Sequence, residues 1–322
     1  MTGKTGVLLI NLGTPDAPEP EAVRRYLAEF LSDRNVVDLP PLLWQPVLRG
    51  AILPFRPRRT AEAYRSIWTN EGSPLAAITR RQTSALQQRL GDEAVVDYAM
   101  RYGTPAITPA LDRLAAAGCS RIIAAPLYPQ YSKATTGTVR DLLAASMIPS
   151  VPMRILPPYF DEELYIRALV SNLERQLAAL DFDPQRLLLS FHGLPTRAIE
   201  RGDPYFDHCT ATASLVAGRL SIPADVAFQS RFGRAKWLEP ATDATLAAFP
   251  AKGVTRLAIA APGFSVDCIE TLEELGIRGK ECFEAAGGER FARLDCLNDS
   301  PEGMDMLEGL VRRELEGGAA PA

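Results

Sequence analysis

The sequence predicts an α/β protein made of two similar halves, each a doubly wound parallel sheet covered by helices. Three observations predict it. Short runs rich in Val, Ile and Leu recur along the chain, amphipathic stretches of helical period lie between them, and the series breaks near Pro157–Asp161 (PPYFD). Continuous apolar runs suit strands buried on both faces, as in a parallel sheet built of βαβ units.

In order, the predicted strands are Val7–Leu12, Val95–Ala99, Ile122–Leu127 and Met153–Leu156, then Leu187–Phe191, Val226–Gln229, Leu257–Ala261 and Ala292–Leu297. Helical patterns fall at Ala22–Leu31, Leu75–Leu90, Pro109–Ala117, Glu163–Leu180, Ala241–Ala248, Ile269–Ala286 and Gly303–Leu315. The break therefore divides the chain into domains 1–158 and 159–322. The final GGAAPA, from about residue 317, reads as a disordered tail.

A length of 322 residues suffices for two ordinary domains, and 47% hydrophobic with 23% charged residues is the balance of a folded globular protein. A net charge of −4 argues against nucleic acid as the main partner, because phosphate neutralisation needs a basic surface. The five cysteines (Cys119, Cys209, Cys268, Cys282 and Cys296) are dispersed and form no CxxC pair. They make a poor disulfide framework and a poor zinc signature, so a reducing compartment is expected. No run of 18 apolar residues exists, and MTGKTGVLLINLG lacks the pattern of a signal peptide. The expectation is a soluble cytoplasmic protein.

Ligands of open parallel sheets bind beyond the carboxyl ends of the strands. Four segments stand there or nearby. In SFHGLP, closing the run Leu187–Leu189, His192 lies at a strand end before the turn made by Gly193 and Pro195. It fits a base or metal ligand, and equally a hydrogen-bonded structural group. The other histidine, His208, lies in polar YFDHCTAT and reads as a surface residue. In PGFSVDCIETLEEL, a helix starting near Asp267 would set Asp267, Glu270 and Glu274 on one face. Such stacked acids suit a cation or shared protons, while Asp267 with Glu270 also fits a capping box.

The third segment, YPQYSKATTG, puts Tyr128 and Tyr131 after a strand, where they line a flat-ligand pocket or merely precede a helix cap. The fourth, residues 36–57, is apolar and proline-broken, with arginines at 49, 56, 58 and 59. An apolar lip beside guanidinium groups suits a greasy ligand bearing carboxylates, or a membrane surface. No GxxxxGK[ST] loop, three-glycine dinucleotide fingerprint or GxSxG elbow occurs, which disfavours nucleotide, hydride-transfer and serine-hydrolase chemistry.

LLINLGTP, YRSIWTNEGSPL, MRYGTP, LYPQYSKATTGT, SFHGLP, RGDPYFDHC, FQSRFGRAKWLEPATD and PGFSVDCIETLEEL, in this order from about Gly6 to Leu315, resemble the ferrochelatase family. DCIETLEEL is similar to the proteobacterial branch, with Cys268 where many relatives carry a histidine. The resemblance implies two Rossmann-like, chelatase-like domains with a porphyrin in a cleft between them. It implies a lyase that inserts Fe²⁺ into protoporphyrin IX, releasing two protons, as the last step of haem biosynthesis.

By the same resemblance His192 is the active-site histidine and Glu270 its paired glutamate, both able to hold the metal, with Asp267 and Glu274 continuing an acidic line for protons or iron. Tyr64, Ser73, Arg59 and Trp237 fall at porphyrin-contacting or pocket positions. Some relatives carry a [2Fe-2S] cluster on a C-terminal cysteine extension; this chain has no cysteine after Cys296, so no cluster and no required cofactor are expected. Peripheral contact with a membrane or with the preceding pathway enzyme is a further expectation. Rival expectations are a chelatase acting on cobalt, nickel or coproporphyrin III, and a non-catalytic porphyrin or haem carrier.

Overall fold

A computed structural model describes residues 3–146, 151–233 and 235–317. Two four-stranded sheets are present, and every strand pairing within them is parallel. The first contains β1 (Lys4–Gly13), β2 (Ala94–Tyr102), β3 (Cys119–Pro126) and β4 (Met153–Ile155) in the order β2-β1-β3-β4. The second contains β5 (Arg186–His192), β6 (Ala224–Gln229), β7 (Arg256–Ala260) and β8 (Arg290–Arg293) in the order β6-β5-β7-β8. The two orders are the same pattern used twice. In each, the order reverses beside the first strand, so the crevice for a ligand is expected beyond the ends of β1 and β3, and of β5 and β7.

The strands form where the continuous apolar runs lie. β1 is buried from Thr5 through Asn11, and β5 from Leu187 through Phe191. Around the first sheet Leu8, Ile10, Ile107, Leu111 and Ile122 make one apolar core; around the second Leu188, Leu246, Leu257, Ile259 and Phe283 make another. Each side chain so buried contributes about 1.5–3 kcal/mol. β1 must end on glycine: Gly13 has φ +112°, and a Cβ there would lie 1.8 Å from the Tyr102 carbonyl oxygen.

By contacts the chain separates into two compact units. One comprises residues 1–128, 132–157 and 307–322; the other comprises 129–131 and 158–306. The chain passes from the first unit to the second at Pro157/Pro158 and returns to the first at Leu307. Leu307 onward belongs to the first unit, because that part of the helix Pro301–Glu316 is fastened there by ions. Glu308 receives Arg89 at 3.1 Å and Arg312 at 2.8 Å, and Arg312 also bonds Glu93. Arg121 reaches the Leu315 carbonyl at 3.0 Å. Except for Gly317, the expected tail lies outside the described residues.

Three differences from the expected elements affect the site. β8 stops at Arg293, and the chain beyond Leu294 turns so that Cys296 and Asn298 wrap a buried carboxylate described below. The helix expected over 269–286 is a π-helix over Glu270–Gly279 followed by an α-helix over Lys280–Ala285. Residues 36–57 are more regular than their prolines suggest, with an α-helix at Pro41–Val47 and a π-turn at Leu48–Ile52. Helices at Arg56–Ile67, Thr138–Ala145 and Tyr205–Ala217 complete the layers.

Candidate active site

The expected histidine and the expected acids all belong to the second unit. His192 is the last residue of β5 and half-buried; PGFSVD follows β7. His192 Nδ1 lies 2.7 Å from the carbonyl oxygen of Gly193. A carbonyl only accepts, so Nδ1 carries the ring proton of the neutral imidazole, and Nε2 holds the basic lone pair. The ring of Phe264 lies 6.5 Å from the imidazole, centroid to centroid.

Gly193 is required by its surroundings. A Cβ there would come within 2.6 Å of the Gln229 carbonyl oxygen and 3.3 Å of the Trp237 ring. Trp237 is held alongside this turn, since Leu238 N donates to Leu194 O at 2.9 Å and Trp237 Nε1 to Phe232 O at 2.9 Å. The expected pocket tryptophan is thus next to the expected base.

Gln229, at the end of β6, joins the histidine to the acids. It pairs with His192 across the sheet, and its carbonyl accepts from Gly193 N at 2.8 Å. Its side-chain oxygen accepts from Ser190 Oγ at 2.8 Å, while Nε2 donates to the Glu270 carbonyl at 2.9 Å. Ser230 follows with φ +64°, a left-handed conformation uncommon outside glycine. That turn aims Ser230 N and Oγ at the Glu274 carboxylate, at 2.8 and 2.6 Å. Glu270 and Glu274 are therefore tethered beside β6. Four residues apart on a π-helix of i→i+5 hydrogen bonds, they stay on nearly one face. A cavity of about 150 Å³ opens beside Glu274, Gln229, Ser230 and Arg278, without including His192 or Glu270.

Asp267 is held by a set of donors of its own. It is 3% exposed, and its carboxylate accepts from Thr271 Oγ1 (2.6 Å), Asn298 Nδ2 (2.6 Å), Arg293 Nη1 (2.9 Å) and Cys296 N (3.3 Å). These donors occupy the lone pairs a carboxylate offers, so the carboxylate anchors the stretch after β8 to the start of the π-helix. The capping partner is Thr271, not Glu270, since Cys268 N donates to Thr271 Oγ1 at 3.0 Å.

Burial first, and then the charge of Glu270, hold the Cys268 thiol well above its ordinary range. Among the described residues no cluster of three or more His, Cys, Asp or Glu side chains is placed to hold a metal.

Tyr131 belongs to this unit too, its backbone N–H donating to His208 Nδ1 at 3.1 Å. His208 is accordingly not a plain surface residue, and is half-buried. The remaining expected contacts lie in the first unit. Ser73 is 4% exposed and accepts from Thr14 Oγ1 at 2.8 Å, just beyond β1. Tyr64 is buried on the helix Arg56–Ile67, edge-on to Trp68 at 6.1 Å. Tyr128 follows β3 and packs partly against that unit's core, and Arg59 is exposed.

Gln229, Ser230 and Arg293 carry much of this arrangement and were given no role from sequence. The first two had a usable signal: they close the apolar run Val226–Gln229, where the strand-end rule directs attention.

Two parallel sheets of like order, with a histidine ending β5 and two glutamates tethered beside β6, give the chain the two-domain α/β architecture of the chelatases. Solved chelatases share this fold. The structure is similar to SirB from Bacillus subtilis with Fe3+ (TM-score 0.59, 12% identity, 98% of each chain) and to CbiX, described as the terminal enzyme for biosynthesis of siroheme in denitrifying bacteria (TM-score 0.52, 16% identity, 96% of this chain and 98% of that one).

Residues 4–315 match the ferrochelatase family. The chain is 47% identical over 325 residues to a ferrochelatase of Rhizobium meliloti (98% of this chain, 96% of that one), and 47% identical over 324 residues to one of Bradyrhizobium diazoefficiens (98% and 94%). The chain belongs to the ferrochelatase family, lyases that insert iron into protoporphyrin in haem synthesis.

Proposed function

We propose that this chain inserts Fe²⁺ into protoporphyrin IX, with His192 Nε2 as the base that takes a pyrrole proton. The observation that carries the assignment is the Nδ1 contact to Gly193 O, which leaves Nε2 basic at the mouth of β5. Metallation exchanges two N–H protons for one Fe²⁺. A planar macrocycle hides its nitrogen lone pairs, so binding energy along the ring must bend it before the metal enters. The family resemblance, with the strand-end rule for Tyr128 and Tyr131, assigns porphyrin contact to Trp237 and Tyr131 in the second unit and to Tyr64, Ser73, Tyr128 and Arg59 in the first, with Arg59 meeting a propionate.

Glu270 stands as the second group at the metal. Nitrogen and oxygen ligation suits ferrous iron, and the pair His192–Glu270 holds it in passing. Glu274, fixed by Ser230, receives protons or iron behind Glu270, and Asp267 keeps the start of the π-helix in place. The reaction needs no resident cofactor and no [2Fe-2S] cluster.

Purified protein, Fe²⁺ and protoporphyrin IX mixed without oxygen should develop the absorption spectrum of haem. Coproporphyrin III, Co²⁺ and Ni²⁺, offered in competition, should turn over more slowly. Tight porphyrin binding with no iron uptake would instead identify a carrier and end the assignment.

The lip supports a peripheral position at the inner face of a membrane, with the protein otherwise cytoplasmic. No helix of the described residues is long and apolar enough to cross a bilayer. Leu42, Leu43 and Phe55 are 90%, 68% and 75% exposed, next to exposed Arg49, Arg58 and Arg59. Trp44 fastens the short helix from beneath, donating Nε1 to Leu31 O at 2.7 Å. Exposed apolar side chains with arginines close by in sequence suit an anionic lipid surface. The protein should float with vesicles of anionic lipid and remain behind when Leu42 and Leu43 are both changed to Asp. Equal flotation of the two proteins contradicts this.

A further inference from the structure

We propose that His208 is a positioning residue for the porphyrin site: its unprotonated Nδ1 holds the backbone N–H of Tyr131, and protonation releases it. The inference rests on the reading that Tyr131 touches the porphyrin.

The segment Pro129–Tyr131 groups with the second unit, although Tyr128 and Ser132 on either side group with the first. Three hydrogen bonds keep it there. Tyr159 N donates to Pro129 O at 3.0 Å, Gln130 Nε2 to Thr212 Oγ1 at 3.0 Å, and Tyr131 N to His208 Nδ1 at 3.1 Å. His208 and Thr212 are one turn apart on the helix Tyr205–Ala217, so that helix presents consecutive acceptors to consecutive residues of the segment. Gln130 is 2% exposed and acts as the fixed pin. His208 is the adjustable one, because its acceptor exists only while the ring is neutral.

The ring is well fixed for this task. It stacks on Phe160 with centroids 3.7 Å apart and planes 11° from parallel. Thr212 Oγ1 also lies 2.7 Å from the Phe160 carbonyl and 3.0 Å from that of His208, tying the stack to the same turn of helix.

Asp161 beside Phe160, Asp203 ahead of the helix and Asp207 on it all face the imidazole and favour its charged form. Burial is the larger effect and takes the His208 pKa below its ordinary 6.5. The sign follows. The contact is complete above the ordinary value and is lost as pH falls through the lowered one. A protonated ring would present N–H to N–H and expel Tyr131 from its seat.

Protoporphyrin titration without iron, followed by porphyrin fluorescence, tests this. His208→Phe keeps a ring to stack on Phe160 and removes the acceptor, and should weaken binding by roughly threefold to tenfold, the worth of one hydrogen bond. His208→Asn offers Oδ1 in place of Nδ1 and should restore most of that loss. Wild-type affinity should fall relative to His208→Asn as pH drops below about 6.5, through the lowered value at which this buried imidazole charges.

Should His208→Phe bind like the wild type while Tyr131→Ala binds weakly, the inference fails and the site reading survives. Unchanged binding in both variants overturns both. If His208→Phe does not fold, the comparison with His208→Asn decides, and parallel pH profiles overturn the proposal.

Discussion

His192→Ala should lower the rate of iron insertion by about two to four orders of magnitude, the usual contribution of a positioned acid–base group, while leaving protoporphyrin affinity nearly intact. The split follows from where the side chain sits. It closes β5 with Nδ1 committed to Gly193 O, so its free nitrogen is Nε2. Removing the imidazole leaves the turn standing. Gly193 N still donates to Gln229 O, and Trp237 still lies against Gly193, so the ring-binding surface persists without the base. Imidazole added to the solution should restore part of the rate, because only a proton acceptor is missing. Near-normal turnover by His192→Ala would remove His192 from the role of base.

Asp267→Ala should cost about 3–5 kcal/mol of stability, the usual penalty for breaking a buried pair from one side. Asp267 is 3% exposed and pairs with Arg293 at 2.9 Å, whose own side chain is 18% exposed. Without the carboxylate, the guanidinium keeps Asp295 as its one charged partner among the described residues, and the buried Cys296 N–H loses its side-chain acceptor. The break lies at the joint where β8 ends and the π-helix begins, so activity should be lost along with stability. Adding Arg293→Met should recover part of the loss, because removing both charges relieves the unpaired one. Urea unfolding of the three proteins reads both effects; a single-variant loss below about 1 kcal/mol, the scale of an exposed ion pair, would contradict the anchoring role.

Much of this was legible in the sequence, and the reasons are physical. A parallel strand buried on both faces must be continuously apolar, so β1, β3, β5 and β7 announce themselves. The rule that ligands sit beyond such strands then selects His192 and the segment after β7. The helices at Arg56–Ile67 and Tyr205–Ala217 were harder, since RPRRTAEAYRSI is mostly polar and YFDHCTATASLVA mixes polar with apolar residues around its circumference.

Carboxylates were the least legible. The spacing of Asp267, Glu270 and Glu274 is compatible with a shared face, but spacing does not say what answers each charge. Asp267 is answered by Arg293 and Asn298, twenty-six and thirty-one residues away, and Glu274 by Ser230, forty-four away. Such distant partners leave no periodic signature. His208 was misread for a related reason: the polar letters around it describe its own helix, while Phe160 and Tyr131, which cover it, come from elsewhere in the chain.

A crystal structure of the protein soaked with metal-free protoporphyrin tests the central claim most directly. A pyrrole nitrogen should lie within hydrogen-bond reach of His192 Nε2, with Glu270 on the acidic side of the same ring. A porphyrin bound elsewhere, leaving His192 Nε2 in contact with water alone, would contradict it.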